Sequence, residues 1–491
     1  MQELIISRDS HQTRAALLED GRAVGLHVEP LGRPSTVGNI YKGRVEKVLG
    51  GMEAAFVDIG EERNGYLTAD DLEGVAIRQA GRARITRLLK GGQEILVRVT
   101  RDPMGGKGPR LSMQLLIVGR HLILSPQGRA SGASRRLEET ERERLRQACA
   151  GLVKGEGGVI ARTAAEGASE EMLARELRFL NHVWGGIEQR AATVGAPALV
   201  YREAELAVRA VRDLPEAGFK RVLVDDARVE RRLVSYLRAV APSASGRVEL
   251  YRGQRPLFQE YGVEQEIEKA LARRVGLPCG GYIVIDHTEA MTVVDVNTGS
   301  YVRGRHLEET TVKVNVEACE EIVRQLRLRD IGGIIVIDFI DMAKEANREA
   351  VLAALKAELA KDRTKSYVVE LSPLGLVEMT RHNANPGLRE VVTRRCPVCR
   401  GAGVVKSDQA ALADVERVIR GLVAASTAPV VRVEVHPRMV EILAATAAHG
   451  AAYGEQGGNS PLARLERESG RRVVAQGAGR EVPLDHCSLV A

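Results

Sequence analysis

Two aspartates that lie far apart in the chain each follow a short apolar run. Asp295 ends the run MTVVD and opens the stretch DVNTG, and Asp338 ends GGIIVID. The residues between them have a helical pattern, so the two runs read as strands joined by a right-handed parallel crossover. Because parallel strands end at the edge where open α/β sheets bind ligands, we expect both carboxylates to emerge there together.

Two neighbouring carboxylates repel each other, and a divalent cation held between them removes that repulsion. Oxygen ligands favour Mg²⁺, which lowers the pKa of a bound water and neutralises phosphate charge. The amide of Asn297 can orient one carboxylate by hydrogen bonding, and Asp286 and Asp341 are further carboxylates nearby. The alternative is that each aspartate only caps a helix or forms a turn after its strand. The residues alone leave both possibilities open.

The segment 280–372 supplies the elements that must position these side chains. GYIVID and MTVVDV predict strands, and GGIIVIDF predicts a third, whose almost unbroken apolar character is typical of a strand covered on both faces. A further helix over about 343–360 and the strand SYVVELS follow. The helix between the aspartates is predicted from about Glu308 to Arg329, with an apolar stripe at spacings of three and four. Its members are Val312, Val316, Cys319, Val323 and Leu326.

Several short strand patterns lie in residues 38–72 and 93–100, and Asn64-Gly65 is a strong turn signal between two of them. Such short strands predict a small barrel. Phe56 and Tyr66 fall among its strands with cationic residues such as Lys42 nearby, an arrangement that suits stacked bases and a phosphate backbone. The alternative is that these rings only fill the barrel core.

Cys396 and Cys399 form a C-x-x-C pair in RRCPVCRGAG, and the sequence contains no second such pair. A closed structural zinc site normally needs four ligands. One solution is that two chains each donate two thiolates, which would couple zinc binding to dimerisation. A site within one chain, or no site, remains open. The last segment is Ala-rich and helical in pattern, with a strand predicted at 429–436.

The composition fits a globular protein of several domains: 491 residues, 44% of them hydrophobic and 28% charged, with a net charge of +6. The mild basic excess slightly favours a polyanionic partner. No apolar stretch is long enough to span a bilayer, and the start MQELIISRDSH lacks the features of a secretory signal. Six cysteines in so long a chain do not make a disulfide scaffold. We expect a cytoplasmic protein that does not associate with a membrane.

Several stretches together resemble the ribonuclease E/G family. GNIYKGRVEKV with AFVDIG resembles an S1-type OB-fold domain, and the other matching stretches are GQRPLFQEYGVEQEIEKAL, DVNTGSYVRG, NVEACEEIVRQLRLRDIGGIIVIDFIDM and CPVCRGAG. The order agrees across nearly the whole chain. Because no long disordered tail follows the compact C-terminal region, the chain is more similar to the ribonuclease G branch than to the E branch.

The resemblance implies Mg²⁺-dependent endonucleolytic hydrolysis of single-stranded RNA, stimulated by a 5′-monophosphate and leaving 5′-phosphate and 3′-hydroxyl ends. It implies ribosomal RNA 5′-end maturation and mRNA decay as the processes served. It also implies a homodimer or tetramer held by Zn²⁺ between Cys396 and Cys399 of two chains. A non-catalytic S1-containing RNA-binding scaffold is the alternative, and a metal phosphohydrolase acting on small nucleotides is a third hypothesis.

The resemblance also assigns residues to roles. Asp295 and Asp338 would hold Mg²⁺ with support from Asn297. An arginine fork can grip a terminal phosphate, although by spacing alone Arg162 is only an exposed arginine at a strand end. Lys365 stands where the family has an arginine, which weakens any equivalent role for it. The RNA-binding candidates are Phe56, Tyr66, Lys42 and Lys107, and the 5′-phosphate sensor candidates are Arg162, Thr163, Gly119 and Ile123.

The fold class that follows is multidomain α/β. An S1 (OB-fold) barrel is inserted in an RNase-H-like subdomain, and a DNase-I-like α/β catalytic subdomain, a zinc-link and a small C-terminal domain come after it. The expected boundaries are 1–36 and 207–277 for the two parts of the RNase-H-like subdomain, 37–118 for the S1 domain, 119–206 for the sensor region, 278–392 for the catalytic subdomain, 393–405 for the zinc-link and 406–491 for the C-terminal domain.

Overall fold

The computed structural model of the chain forms two compact units, Met1–Val392 and Thr393–Ala491. It describes residues 2–72, 85–103, 107–128, 131–153, 157–214, 219–299, 307–372, 375–382, 387–445, 460–479 and 481–490. The end of the motif DVNTGSYVRG, residues 300–304, lies outside these ranges.

The larger unit begins with an antiparallel meander of three strands. Leu4 and Ile6 pack into one core on one face of β1, and Ile5 packs into a second core on the other face, because successive side chains of a strand point to opposite faces. The strands are β1 (Gln2–Arg8), β2 (Gln12–Glu19) and β3 (Arg22–Pro30).

A closed five-stranded barrel follows, which confirms the small barrel expected from the sequence. The chain order is β4 (Ile40–Leu49), β5 (Ala54–Asp58), β6 (Gly65–Thr68), the short helix α1 (Ile85–Leu88), β7 (Glu94–Arg101) and β8 (Arg110–Ser112). The spatial order is β4-β5-β6-β8-β7, and pairing of β4 with β7 closes the barrel. Inward apolar residues such as Val45, Val57 and Leu67 are fully buried and fill it.

The next region packs two helices against a small sheet of order β11-β12-β10-β9. Its last strand, β13, pairs with β4 at the barrel instead. The elements are β9 (Ile117–Val118), β10 (Leu122–Ser125), β11 (Gly132–Ala133), α2 (Glu139–Leu152), β12 (Gly158–Ala161), α3 (Glu170–Thr193) and β13 (Ala198–Tyr201).

The chain then returns to the first sheet. Strand β14 pairs in parallel with β1, and the complete order is β15-β14-β1-β2-β3. Two stretches on either side of the barrel therefore build one sheet. The added elements are α4 (Leu206–Arg212), β14 (Phe219–Val224), α5 (Ala227–Val240), β15 (Val248–Leu250), α6 (Leu257–Glu260) and α7 (Val263–Leu271).

A six-stranded mixed sheet of order β16-β17-β18-β19-β21-β20 ends the larger unit. Strands β18 and β19 are parallel and a helix connects them, which confirms the predicted crossover. The elements are β16 (Arg274–Gly276), β17 (Tyr282–His287), β18 (Met291–Asn297), α8 (Leu307–Leu328), β19 (Gly333–Asp338), α9 (Glu345–Ala360), β20 (Ser366–Leu371), β21 (Leu376–Arg381) and α10 (Leu388–Val392).

One face of this sheet packs on α8 and α9 around a core that includes Val294, Ile335 and Ile337. On the opposite face, which we call the open face, Ile334 is 49% exposed. The expectation that GGIIVIDF is covered on both faces was therefore wrong, because the helices cover only one. Val316 was also wrongly placed in the buried stripe, since it is 39% exposed while Val314 points inward instead.

The smaller unit packs its helices on a three-stranded sheet of order β23-β22-β24, and the strand predicted near 429–436 is confirmed as β22. Its elements are α11 (Asp408–Ala425), β22 (Val430–Val435), α12 (Pro437–Ala444), α13 (Pro461–Ser469), β23 (Arg472–Gly477) and β24 (Cys487–Leu489).

The multidomain α/β class is thus established: the closed barrel interrupts in sequence the five-stranded mixed sheet, and the six-stranded mixed sheet follows later in the chain. The assignment of those sheets to RNase-H-like and DNase-I-like subdomains, and the boundaries given above, stay predictions. Within the described ranges, no helix combines the length and apolar character needed to cross a bilayer.

Candidate functional site

The structure places Asp295 and Asp338 side by side. They are paired residues of the parallel strands β18 and β19, and both are exposed on the open face. The adjacent residues Val294 and Ile337 point into the core, so the strand period of two forces the aspartates outward. Neither acts as a helix cap: Asp295 lies inside its strand, and the N-cap of α9 is Lys344.

The electrostatics at the pair favour a cation. The pKa of Asp338 is raised by partial burial and then by the negative charges of Asp295 and Asp341. Asp286, another residue of this face, is already neutralised by Arg273, which donates to its two oxygens over 2.5 and 2.6 Å. The unbalanced negative charge is therefore concentrated around Asp338.

The stretch DVNTG holds one carboxylate in place. Asn297 donates from Nδ2 to Oδ2 of Asp295 over 2.8 Å, as expected from the sequence. Gly299 has a φ of +58°, and a β-carbon there would collide with the carbonyl oxygen of Gly280. It would also come within 3.3 Å of the Tyr282 ring. The glycine of the motif is thus required by backbone conformation and by close packing.

A buried asparagine that the sequence analysis missed fixes the chain after Asp338. Asn315, on α8, is fully buried and donates to the carbonyl of Ile340 over 2.8 Å. Its own oxygen accepts from the Ile340 backbone N–H over 3.1 Å. The sequence signal that could have revealed Asn315 is a polar residue at a buried position of a helix. A buried polar group needs specific hydrogen-bond partners.

Arg381, at the end of β21, is the second residue that was missed. Its side chain is 3% exposed and pairs with Asp362, which is 4% exposed, over 2.8 Å. It also donates to Asp330 over 3.0 Å and to the carbonyl of Ile331 over 2.7 Å. Because Ile331 lies two residues before the start of β19, this network anchors the strand that ends in Asp338.

The donor set at the open face consists of carboxylate and amide oxygens, which fits a hard cation that keeps several of its waters. Among the described residues, no three or more His, Cys, Asp or Glu side chains are arranged to hold a metal ion. Asp295 and Asp338 are the two carboxylates that these paired strands offer to such an ion.

On the barrel, Phe56 and Tyr66 are cross-strand neighbours on β5 and β6 with ring centroids 5.8 Å apart at 58°. Both are half-buried, so their rings are not barrel core. Lys47 pairs with Phe56 on one side and Arg110 pairs with Tyr66 on the other. The two rings and two cations form one row across the barrel surface.

The two predicted lysines differ in their surroundings. Lys42 donates to the carbonyl of Val194 over 2.9 Å and pairs with Glu94 over 3.1 Å, so its charge is engaged within the protein. Lys107 is exposed in the loop before β8. Lys47 is one of the cations that the sequence places among the rings, whereas Arg110 was missed, because only the pairing of β6 with the distant strand β8 brings it next to Tyr66.

The sensor candidates gather near the end of β12. Arg162 donates from Nη1 to the carbonyl of Gly119 over 2.7 Å and from Nη2 to Asp213 over 2.5 Å. Burial would raise the pKa of Asp213, but the positive charges of Arg162 and Arg212 outweigh it, and the pKa is lowered. The arginine fork thus already holds one anionic group, the carboxylate of Asp213.

The other sensor candidates are close to this fork. Gly119 is buried, and a β-carbon there would collide with the carboxylate of Glu176. Thr163 shares a hydrogen bond of 2.9 Å with Ser134. Ile123 lies in the middle of its sheet, paired with β12 and β9.

Lys365 is exposed, and it is Arg363, in the loop before β20, that reaches the cluster. Arg363 donates from Nη1 to the backbone carbonyl of Asp213. The sequence analysis did not consider Arg363, because nothing local distinguishes it from its neighbours.

In the smaller unit, the two cysteines lie on one tight turn. The N–H of Arg400 donates to the carbonyl of Cys396, and that of Ala402 donates to the carbonyl of Cys399, each over 2.8 Å. The pKa of the Cys399 thiol is lowered by the backbone N–H groups of Gly403 and Gly401 and by the Cys396 side chain. Such a turn favours the thiolate form that binds metal.

Comparison with known proteins agrees with this architecture. The model of the Ribonuclease E/G family matches residues 116–384, more than half of the chain. The chain is 41% identical over 425 residues to "Ribonuclease G" of Salmonella typhimurium (strain SL1344) and of Escherichia coli (strain K12), which covers 85% of this chain and 87% of each relative. It is 38% identical over 423 residues to "Ribonuclease E" of Escherichia coli (strain K12), of which it covers 40%. The chain belongs to the ribonuclease E/G family.

Proposed function

We propose that this chain is a Mg²⁺-dependent endoribonuclease that cleaves single-stranded RNA and leaves 5′-phosphate and 3′-hydroxyl ends. The enzyme class, an endoribonuclease of the ribonuclease E/G type, follows from the family and from relatives named as ribonucleases G and E. The observation that carries the finer proposal is the in-register pair Asp295 and Asp338 on the open face.

The chain's own residues prepare this face for the reaction. Asp295 and Asp338 would hold the cation, and Asn297 keeps the Asp295 carboxylate from rotating by donating to it. Asn315 and Arg381 fix the backbone around Asp338. A bound Mg²⁺ supplies a water of lowered pKa and compensates the charge of the attacked phosphate. Exposure of the pair leaves room for an RNA backbone to approach it.

The barrel provides a place for the bases. The Phe56 and Tyr66 rings are half-buried and Lys47 lies beside Phe56, so bases can stack while a phosphate contacts this lysine. Arg110, beside Tyr66, donates to Asp71 over 2.9 Å, so its charge is engaged within the protein as that of Lys42 is. Lys107 precedes β8 in the chain and lies on an exposed loop. We propose that this row binds the RNA on one side of the cleavage point.

Phe56→Ala and Tyr66→Ala should each weaken RNA binding by about tenfold, since stacking of one base contributes roughly 1–3 kcal/mol. Fluorescence anisotropy with a single-stranded RNA measures the change. Met52→Ala is the matched control, because Met52 is a 64% exposed side chain of the same barrel without a ring. Equal affinities for all three variants would contradict the stacking surface.

We further propose that Arg162, Thr163 and the backbone at Gly119 and Ile123 bind a 5′-monophosphate. Arg162 already grips a carboxylate, and a phosphate is a stronger acceptor for the same fork. Arg363 brings a second guanidinium to the cluster. It compensates for Lys365, which stands where the family has an arginine. A bound phosphate would compete with Asp213 for the N–H groups of Arg162.

Arg162→Gln should lower the preference for 5′-monophosphorylated over 5′-hydroxylated RNA by about tenfold or more, because a hydrogen bond between charged groups contributes roughly 1.5–3 kcal/mol. The ratio of kcat/KM for the two RNAs measures the effect. Cleavage of the 5′-hydroxyl RNA is the internal control and should be unchanged. An unaltered ratio would place the sensor elsewhere.

We propose that Cys396 and Cys399 bind Zn²⁺ together with the same pair of a second chain. The support is the turn that presents both sulfurs, together with the four ligands that a closed zinc site requires. Cys396→Ser should remove bound zinc and convert larger assemblies into smaller ones, as measured by metal analysis and light scattering. Cys487→Ser is the control, since that cysteine lies on β24 rather than on the turn. An unchanged mass with lost zinc would mean that the site lies within one chain.

We propose ribosomal RNA precursors and mRNA as substrates on the basis of the resemblance to the family. We propose the cytoplasm as compartment from the cysteine content and the pattern of the N-terminal residues.

A further inference from the structure

One arginine lies in the same row of the catalytic sheet as the two aspartates. Arg274 on β16 pairs with Val284 on β17, Val284 pairs with Asp295, and Asp295 pairs with Asp338. Val275, the next residue after Arg274, is buried in the core, so Arg274 projects from the open face. With strands spaced about 4.8 Å apart, its α-carbon is about 10 Å from that of Asp295.

The guanidinium of Arg274 is oriented by an aromatic ring. Its Cζ lies 3.6 Å from the centroid of Tyr282. Tyr282 is in turn the cross-strand partner of Asn297 and borders Gly299 of the DVNTG stretch. A stacked guanidinium keeps its in-plane N–H groups available for another acceptor. The stack therefore prepares a donor edge beside the aspartate pair.

The positive charge of Arg274 is also available to a ligand. Its neighbour Arg273 is neutralised by both oxygens of Asp286. Arg274 has no ion pair with a carboxylate within the part of the chain that the structure describes. On a face that carries Asp295 and Asp338, an RNA backbone meets repulsion, and a cation at the edge of the same row offsets it.

We propose that Arg274, stacked on Tyr282, binds a phosphate of the RNA backbone next to the one that is cleaved. The two in-plane N–H groups suit the non-bridging oxygens of a phosphodiester. The RNA would then run along the row, from the aspartate pair towards the β16 edge of the sheet. This assignment rests on the proposed endoribonuclease function and identifies a further residue that positions its substrate.

The test compares full-length Arg274→Gln, Arg274→Lys and Tyr282→Leu with the wild-type protein. Arg232→Gln is the matched control, since it removes the same charge from an exposed side chain on α5 that pairs with Glu205. We expect Arg274→Gln to raise KM about tenfold with kcat unchanged, the size of one charged hydrogen bond. The slope of log affinity against log salt concentration should become shallower by about one, as expected for the loss of one phosphate contact.

Arg274→Lys should keep the wild-type salt dependence, because the positive charge remains. Its KM should lie between the values of the wild type and Arg274→Gln, because lysine lacks the planar group that stacks on Tyr282. Tyr282→Leu should keep the charge and raise KM by less than Arg274→Gln does. An unchanged KM and salt dependence in Arg274→Gln, with only a lower melting temperature, would overturn the proposal and make the stack a stabiliser of β16.

Repeating the binding measurements in an Asp295→Asn background separates this proposal from the proposed function, because RNA binding does not need cleavage. A reduced salt dependence there supports the Arg274 contact whether or not the protein cleaves RNA. Wild-type protein that binds RNA without cleaving it would overturn the proposed function alone.

Discussion

Asp295→Asn and Asp338→Asn should each abolish RNA cleavage while leaving RNA binding intact. Either change keeps the side-chain size and removes one of the two negative charges that would hold the cation. A metal ion contributes several kcal/mol to such reactions, so the expected loss in kcat is at least about 10³-fold at tenfold per 1.4 kcal/mol. Cleavage of a labelled single-stranded oligonucleotide at saturating Mg²⁺ measures the loss, and anisotropy without Mg²⁺ measures binding.

Two variants of the same face sharpen this test. Asp286→Asn is the matched control, because its carboxylate is already occupied by Arg273 and cleavage should persist. Asn297→Ala should lower the cleavage activity about 10–100-fold, which is the usual effect of removing a group that orients a metal ligand. Wild-type cleavage by either Asp295→Asn or Asp338→Asn would refute the assignment. Wild-type protein that binds RNA without cleaving it would favour the scaffold alternative, and turnover of mononucleotides would favour the phosphohydrolase.

Arg381→Met should destabilise the larger unit by about 3–5 kcal/mol. The change leaves Asp362, which is 4% exposed, as a buried charge without its arginine, and this is the costly way to break a buried ion pair. It also frees the carbonyl of Ile331 at the entrance to β19. Urea unfolding and amide hydrogen exchange in β19 and β21 measure the loss.

Two further variants separate the ion pair from general packing. Lys361→Met should change stability by less than about 1 kcal/mol, because its pair with Glu358 is a surface one with the lysine 61% exposed. The double variant Arg381→Met, Asp362→Leu should recover much of the loss, since neither buried charge remains. A small effect of Arg381→Met alone would mean that the network does not anchor β19.

The local patterns of the chain determined a substantial part of the fold. The period of the apolar residues predicted strands and helices in residues 280–372, and the crossover rule then predicted that β18 and β19 are parallel. The same reasoning made Asp295 and Asp338 neighbours on adjacent strands, which is confirmed. Only Asp338 ends its strand, whereas Asp295 lies inside β18, so the expectation of two strand ends was wrong for Asp295. Short strands with a turn signal predicted the barrel. These features depend on side chains close in sequence, which is why the sequence contains them.

What only the tertiary structure decided involves residues distant in the chain. An apolar run such as GGIIVIDF does not reveal how many of its faces will be covered, and β19 has one face open with Ile334 half-exposed. Lys42 stays a predicted RNA contact, but only the fold shows that Glu94 pairs with it, and only the fold shows that Arg363 rather than Lys365 reaches the Arg162 cluster. The physical reason is that periodicity reports which side of a strand or helix is apolar, whereas the partner of a charged side chain is set by contacts between distant segments.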